Sequence, residues 1–390
     1  MIDYEFLAPP RIVFGWGRRR ELGPLALTLG RRAFVVVGSR TLHLNGCWSE
    51  LKKNLLDAGV EPILTWIAMR EPAVADVDHL AGSLRKHNVG AGDLLFALGG
   101  GAGIDLAKAA SALVTNRHGT SVRDFLEGVG KGLQVTEPPL PLLAMPTTGG
   151  TGTEATKNAV ISVDNPPVKK SIRSPQMMPR IVLIDPELAV SVPPTTTAWT
   201  GMDAITQLIE SYICRFAKPI PQALAVHGLQ LALPMLREAV RDGTSRRARE
   251  AMAHAALLSG MALANSGLGF AHGVAAALGI YAKVPHGLAC AMMLPVALRI
   301  NREVAERPLA ELSRATLSIP SLTDAEAVDR LIQTIDDLCI DLNVPTKLSQ
   351  VGVRPDQLDD LVRGSHGNSM NGNPRQLGDS ELRKILEERL

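Results

Sequence analysis

The chain has 390 residues, 46% hydrophobic and 21% charged, with a formal charge of +2. That length exceeds one small core and fits two domains, and so even a charge balance gives no reason to expect nucleic acid or an anionic membrane as partner. Apolar stretches are interrupted before membrane-spanning length, the N-terminus MIDYEFLAPPRIVFGWG lacks a signal-peptide pattern, and Cys47, Cys214, Cys290 and Cys339 form no CxxC pair, so the expectation is a soluble, cytoplasmic protein with reduced thiols.

In chain order, β-branched and apolar runs first alternate with helical stretches. Residues 33–37 (AFVVV) read as a buried parallel strand ending at Gly38 and Ser39, 51–58 as a helix, 62–66 as a strand and 77–88 as a helix. Residues 94–98 (LLFAL) form a third strand, and 140–144 and 181–184 two more. This alternation predicts an open α/β sheet with a nucleotide-sized crevice at its strand ends. A proline-rich stretch at 192–196 marks a boundary. Beyond it, residues 197–214, 222–241, 245–266, 272–282, 287–302, 325–342 and 380–388 all favour helix. The expectation is an α/β domain over 1–192 and an all-helical domain over 193–390, with a cleft between them.

Two loops suit a nucleotide. LLFALGGGAGIDLAK is strand, glycine turn and helix: Gly99, Gly100 and Gly101 let backbone N–H groups approach a pyrophosphate, and the helix that follows offers its positive end. The spacing is not GxGxxG, and Asp105 either braces this turn or is structural. In MPTTGGTGTEAT, Thr147, Thr148, Thr151 and Thr153 supply hydroxyls among further glycines. In the second half, Asp203 and Gln207 stand four apart in GMDAITQLIE and share a helix face; His272 lies in GLGFAHGVAAALG and His286 in KVPHGLACAMMLP. A carboxylate and two imidazoles suit a divalent ion such as iron or zinc.

Taken together and in order, RIVFGWG, GGGAGIDLAK, PTTGGTGTEAT, SPQMMPRIVLIDPEL, TGMDAITQLIE, FAHGVAAALG, VPHGLACAMMLP and NGNPRQLGDSELRKIL resemble the iron-containing (group III) alcohol dehydrogenases over essentially the whole chain. The resemblance implies the dehydroquinate synthase-like fold of that family, with an α/β N-terminal dinucleotide-binding domain and an all-α C-terminal domain. It implies NAD or NADP contacted by Gly99, Gly100, Gly101, Thr147, Thr148 and Thr153, with Lys169 of VKKSIRSP as a further contact. It also implies Fe²⁺ or Zn²⁺ on Asp203, His272 and His286, the residues that would carry catalysis, and a homo-oligomer.

The chain departs from the family at four places. Gln207 stands where a histidine ligand is usual, and either ligates through its oxygen, leaves three ligands and water, or accompanies loss of the metal. Ala276 replaces a histidine that many relatives turn toward the nicotinamide, with His366 as a distant substitute for its proton relay. Ala102 replaces the serine of the glycine turn. Ser39, followed by Arg40, replaces an aspartate that accepts from the adenosine ribose, which makes NADP admissible beside NAD. Phe270 and the neighbourhood of Asn158 are substrate-facing candidates. The activity expected is metal-dependent hydride transfer between NAD(P) and a small alcohol or aldehyde. The alternatives are a metal-independent reductase similar to maleylacetate reductases, a lyase or sugar-phosphate enzyme, and a non-catalytic nucleotide-binding protein.

Overall fold

A computed structural model describes residues 3–68 and 70–390. The described chain divides into two units, Leu7–Thr148 with Gly152–Val190, and residues 3–6 with Gly149–Thr151 and Ser191–Leu390.

The first unit is built on a six-stranded parallel sheet. Its strands are β1 (Ile12–Phe14), β2 (Arg32–Val37), β3 (Glu61–Ile67), β4 (Asp93–Gly99), β5 (Leu142–Pro146) and β8 (Ile181–Ile184), in the order β1-β8-β5-β4-β2-β3. Every residue of β4, β5 and β8 is buried, as expected of parallel strands covered on both faces. Helices α1 (Leu22–Leu27), α2 (Arg40–Leu44), α3 (Cys47–Asp57), α4 (Val74–Lys86) and α5 (Gly101–Thr115) supply that cover. One apolar cluster joins Phe34, Leu95 and Ala97 to Leu80, Leu84 and Leu113; the other joins Val35, Phe96 and Leu98 to Leu51 and Leu55. The sequence reading missed β1, which is only three residues long, and the antiparallel pair β6 (Asn158–Val163) and β7 (Val168–Arg173). That pair is half polar, so its alternation is weak.

The strand order places a site. From β2 the chain runs outward to β3, then returns to lay β4 on the other side of β2. Such a reversal opens a crevice at the carboxyl ends of the two strands. Those ends are Gly38 and Gly99, and their backbones touch: a Cβ built on Gly38 would lie 2.7 Å from the Gly99 Cα. Only glycine allows the strands to close there, which is the physical need behind both residues.

The second unit is helical, with α6 (Pro194–Ile213), α7 (Pro219–Arg241), α8 (Arg246–Asn265), α9 (Phe270–Tyr281), α10 (His286–Asn301), α11 (Glu306–Leu317), α12 (Asp324–Asp341), α13 (Leu358–Ser365), α14 (Asn368–Gly372) and α15 (Asp379–Glu387). The sequence reading began α6 and α7 three residues late, having taken the prolines as breaks. Pro194 and Pro219 are the first residues of their helices, where a missing N–H costs nothing. From Gly201 to Ile213 every residue of α6 is buried, so polar residues on this helix are held away from water. Among the described residues no single helix is long and apolar enough to cross a membrane.

Candidate active site

Helix α6 sets the site. Asp203, Gln207 and Glu210 follow at spacings of four and three, on one stripe of the buried stretch of this helix. Their exposures are 1%, 4% and 2%. Two carboxylates so deep must be ionised with partners or neutralised. The partners come from the first turn of α9, which holds His272, and the first residue of α10, His286.

His272 lies between the carboxylates. Its Nδ1 is 2.7 Å from Glu210 Oε2 and its Nε2 is 3.2 Å from Asp203 Oδ1. His286 Nε2 lies 3.8 Å from the same Asp203 oxygen. Glu210 is otherwise committed to the start of α9, accepting from the N–H groups of Gly269 and Ala271. Its oxygens thus act as acceptors on this side and take the Nδ1 hydrogen of His272 as well. The Nε2 lone pair of a neutral imidazole then faces the carboxylate of Asp203, acceptor against acceptor. A proton or a cation must sit between such atoms. The fourth member is Cys290, on α10 one turn beyond His286, with Sγ 3.7 Å from His286 Nε2. The ligand atoms of Asp203, His272, His286 and Cys290 all lie within 4.8 Å of one another. Ligands at about 2.0–2.3 Å from a tetrahedral ion are separated by roughly 3.3–3.8 Å, so the cluster has the size of a cation site and the residues fit one.

The electrostatics agree. Burial works against ionisation of Asp203, but His286 and His272 outweigh it and hold its pKa below the usual aspartate value. Burial likewise pushes His272 down, yet Cys290, Asp203 and Glu210 together raise it well above an ordinary histidine. The pKa of His286 is raised too, chiefly by Cys290.

The other residues of interest are placed as follows. Gln207 has both ends of its amide engaged by the protein: Nε2 donates to the Thr151 carbonyl at 3.3 Å, and the Ser259 hydroxyl lies 2.6 Å from Oε1. Ala276 stands one turn beyond His272 on α9. His366 is half a domain away in sequence from that turn and pairs with Asp379 at 2.8 Å on the surface. Phe270 is a fully buried core residue.

In the α/β unit, Gly100 is the cap of α5 and Gly101 its first residue. With no side chain on the cap, the first N–H groups of a fifteen-residue helix are left for an outside acceptor, the usual arrangement for a phosphate. Thr147 N–H donates to the Gly99 carbonyl at 3.1 Å, and Thr148 Oγ1 lies over Gly100. Ser39 caps α2 by accepting from the Leu42 N–H, with Arg40 exposed beside it. Lys169 lies on β7 and its ammonium pairs with Glu71. Thr153 turns its hydroxyl onto Asp105 of α5, whose other oxygen accepts from the Val160 N–H at 3.0 Å. Asp105 is thus a brace. Beside it the buried Lys108 ammonium donates to the Thr153 and Thr156 carbonyls at 2.7 and 3.1 Å and to the Thr156 hydroxyl at 2.7 Å.

A family model described as iron-containing alcohol dehydrogenase matches residues 9–186, and one for the C-terminal part of the Fe-containing alcohol dehydrogenase family matches 197–390. The chain is 30% identical to an NADPH-dependent butanol dehydrogenase of Clostridium saccharobutylicum, covering 98% of this chain and 97% of that one. The chain belongs to the iron-containing alcohol dehydrogenase family. It is also 29% identical to an NAD-dependent methanol dehydrogenase of Bacillus methanolicus, over 99% of this chain and all of the other. A solved structure of 1,3-propanediol oxidoreductase superposes with a TM-score of 0.91 at 29% identity, over the whole of both chains. The fold expected from the resemblance is therefore the fold found, and the chain is an oxidoreductase of the alcohol dehydrogenase type.

Within this alcohol dehydrogenase, sequence reasoning passed over Glu210, Ser259 and Cys290. Glu210 carried a signal, since it continues the Asp203 and Gln207 stripe by one more turn. Cys290 stands four residues after His286, a ligand spacing that was set aside when the cysteines were counted as scattered thiols. Ser259 is distant in sequence from every other member and carried none.

Proposed function

We propose that this chain is a metal-dependent dehydrogenase that interconverts a small alcohol and its aldehyde or ketone with NAD or NADP. The observation that carries the reading is the convergence of the buried Asp203 and His272 with the partly exposed His286, Glu210 fixing the tautomer of His272. A divalent cation held by Asp203, His272 and His286 supplies a Lewis acid for an alcohol or carbonyl oxygen. The protein's part is to aim the donors. Glu210 holds the His272 Nδ1 hydrogen and so keeps Nε2 free to ligate, the orienting role that carboxylates play behind ligating histidines. A bound nicotinamide would supply the hydride chemistry. The capless start of α5 and the Thr147–Thr148 backbone are the proposed seat of the cofactor phosphates, as such helix starts are in other nucleotide sites.

Removal of metal tests this directly. After exhaustive chelation the protein is expected to lose turnover, measured as NAD(P)H absorbance with a panel of short alcohols and aldehydes, and to regain it with Fe²⁺ or Zn²⁺. Undiminished turnover in protein shown metal-free by elemental analysis would replace the reading with a metal-independent reductase.

The cofactor choice turns on Ser39. With no carboxylate at the end of β2 and Arg40 next to it, nothing there repels a 2′-phosphate. Both kinds of nicotinamide dependence occur in the names of its relatives. The Ser39→Asp variant is expected to move the ratio of kcat/KM for NADP over NAD down by roughly tenfold or more, about 1.4 kcal/mol. Aspartate caps helices as well as serine does, so the thermal midpoint is expected to stay within a degree or so. A ratio unmoved by the added charge would remove this end of β2 from cofactor selection.

A further inference from the structure

We propose that Cys290, not Gln207, completes the metal site, giving an aspartate, two histidines and a thiolate. The inference rests on the metal-dependent reading above and adds to it the identity of the fourth ligand.

Three observations lead there. The first is position. His286 and Cys290 stand four apart on α10, so their side chains share a face, and Sγ lies 3.7 Å from His286 Nε2. That is the separation of neighbouring ligands around a tetrahedral ion, and Sγ lies within 4.8 Å of every other ligand atom in the group. The second is the engagement of Gln207. Its NH₂ group is aimed at the Thr151 carbonyl, which accepts only from a donor and so fixes which way the amide points. Its oxygen faces the Ser259 hydroxyl at 2.6 Å. Both ends of that amide thus have neutral neighbours on the protein, the single Ser259 hydrogen being shared between Oε1 and the Ala256 carbonyl at 2.8 Å. The third is charge. Asp203, His272 and Cys290 are buried, only His286 being partly exposed, and a divalent ion among them needs anions. Asp203 and a Cys290 thiolate neutralise two positive charges, while two imidazoles and an amide leave one uncompensated.

The step is a ligand exchange without oxidation. As the incoming hydrated ion binds, one of its waters would leave, the thiol would lose its proton to solvent and the sulfur–metal bond would form in that water's place. A thiolate is a softer donor than imidazole or an amide oxygen, so the set leans toward Zn²⁺ over harder ions such as Mn²⁺ or Mg²⁺. A neutral centre is also a weaker Lewis acid than one bearing a net positive charge.

Spectroscopy on the metal-loaded protein tests the ligand without reference to turnover. The chain is stripped of metal and loaded with Co²⁺ alone. Wild-type protein is expected to show a near-ultraviolet thiolate-to-cobalt charge-transfer band with the intense visible bands of a tetrahedral ion. Cys290→Ser is expected to lose the charge-transfer band and bind Zn²⁺ at least 100-fold more weakly. Gln207→Ala is expected to keep the band, with Zn²⁺ affinity within tenfold of wild type. Should Cys290→Ser fail to fold, zinc-edge X-ray absorption on the wild-type protein reads the same question as one sulfur scatterer at about 2.3 Å. Stoichiometric cobalt with no charge-transfer band, or a zinc edge fitted by nitrogen and oxygen alone, overturns the thiolate and leaves the metal-dependent reading standing. A wild-type protein that binds neither ion overturns both.

Discussion

His272→Ala is expected to yield protein that holds less than a tenth of the wild-type metal and turns over about a thousandfold more slowly. The imidazole is the junction of the cluster, 3.2 Å from Asp203 on one side and 2.7 Å from Glu210 on the other. Its removal deletes one ligand and leaves two buried carboxylates facing a void. Metal Lewis acidity contributes several kcal/mol to reactions of this class, and about 4 kcal/mol is three orders of magnitude in rate. Elemental analysis and kcat, taken on the same preparation, check both halves. Glu210→Gln serves as the graded companion: the ligand stays but its tautomer is no longer enforced, and metal affinity is expected to fall by roughly 10- to 100-fold. Circular dichroism must show both variants folded. Turnover of His272→Ala within tenfold of wild type would take the cluster out of the chemistry.

The second large effect is expected in the α/β unit. Lys108 is entirely buried, and burial drags its pKa down to about 8 against the pull of Asp105 and Glu154, so it is cationic at neutral pH. It ties α5 to the Thr153 and Thr156 carbonyls, and Asp105 ties the same helix to the Thr153 hydroxyl. Lys108→Met fills the volume but leaves those acceptors and Asp105 without their cation. Breaking a buried ionic group in this way costs about 3–5 kcal/mol. Denaturant melts followed by tryptophan fluorescence read this unit well, because Trp16, Trp48 and Trp66 lie in it and only Trp199 does not. The KM for the cofactor is expected to rise while metal content stays unchanged. A loss below about 1 kcal/mol would mean that the loop is held by other contacts.

The same pocket predicts a pH dependence. Burial raises Glu154 to about 7, its own backbone hydrogen bond and Lys108 opposing only in part. A folded-state value above the unfolded one means that the folded chain binds the extra proton. This contribution to stability is complete below the unfolded glutamate value near 4.5 and is lost as pH rises through 7. Its size is on the order of 3 kcal/mol. Glu154→Gln is expected to flatten the fall in thermal midpoint between pH 5 and pH 8, and a variant with the wild-type slope would assign that fall to other groups.

Much of the architecture was legible because it is locally encoded. The runs AFVVV and LLFAL sit where their hydrophobicity put them, in β2 and β4, each extended by a residue or two. Most long helices announced themselves by apolar period, although α11 was missed, and Pro194 and Pro219 misled only at the boundary. The pair β6 and β7 was missed because a half-exposed hairpin alternates too weakly to stand out. Asp203, His272 and His286 were legible for a different reason: a carboxylate and imidazoles in a glycine-framed motif are chemically unusual on apolar helices. Lys108 was not, since a lysine three residues from an aspartate on a helix ordinarily describes a solvated face.

By itself, the sequence determined the main alternation of strand and helix followed by a run of helices, the glycines at the ends of β2 and β4, and the family. These depend on periodicity and on single-residue backbone freedom, which neighbours a few positions apart decide. Only the tertiary structure decided that β4 returns beside β2, that Glu210 stands behind His272, and that Cys290 points at the imidazole cluster while Gln207 faces Ser259 and Thr151. The Gln207 and Glu210 hydrogen bonds act over a few ångströms between atoms that are 50 or more residues apart in the chain. No local pattern carries that distance, and it exists only once α6, α8, α9 and α10 have packed.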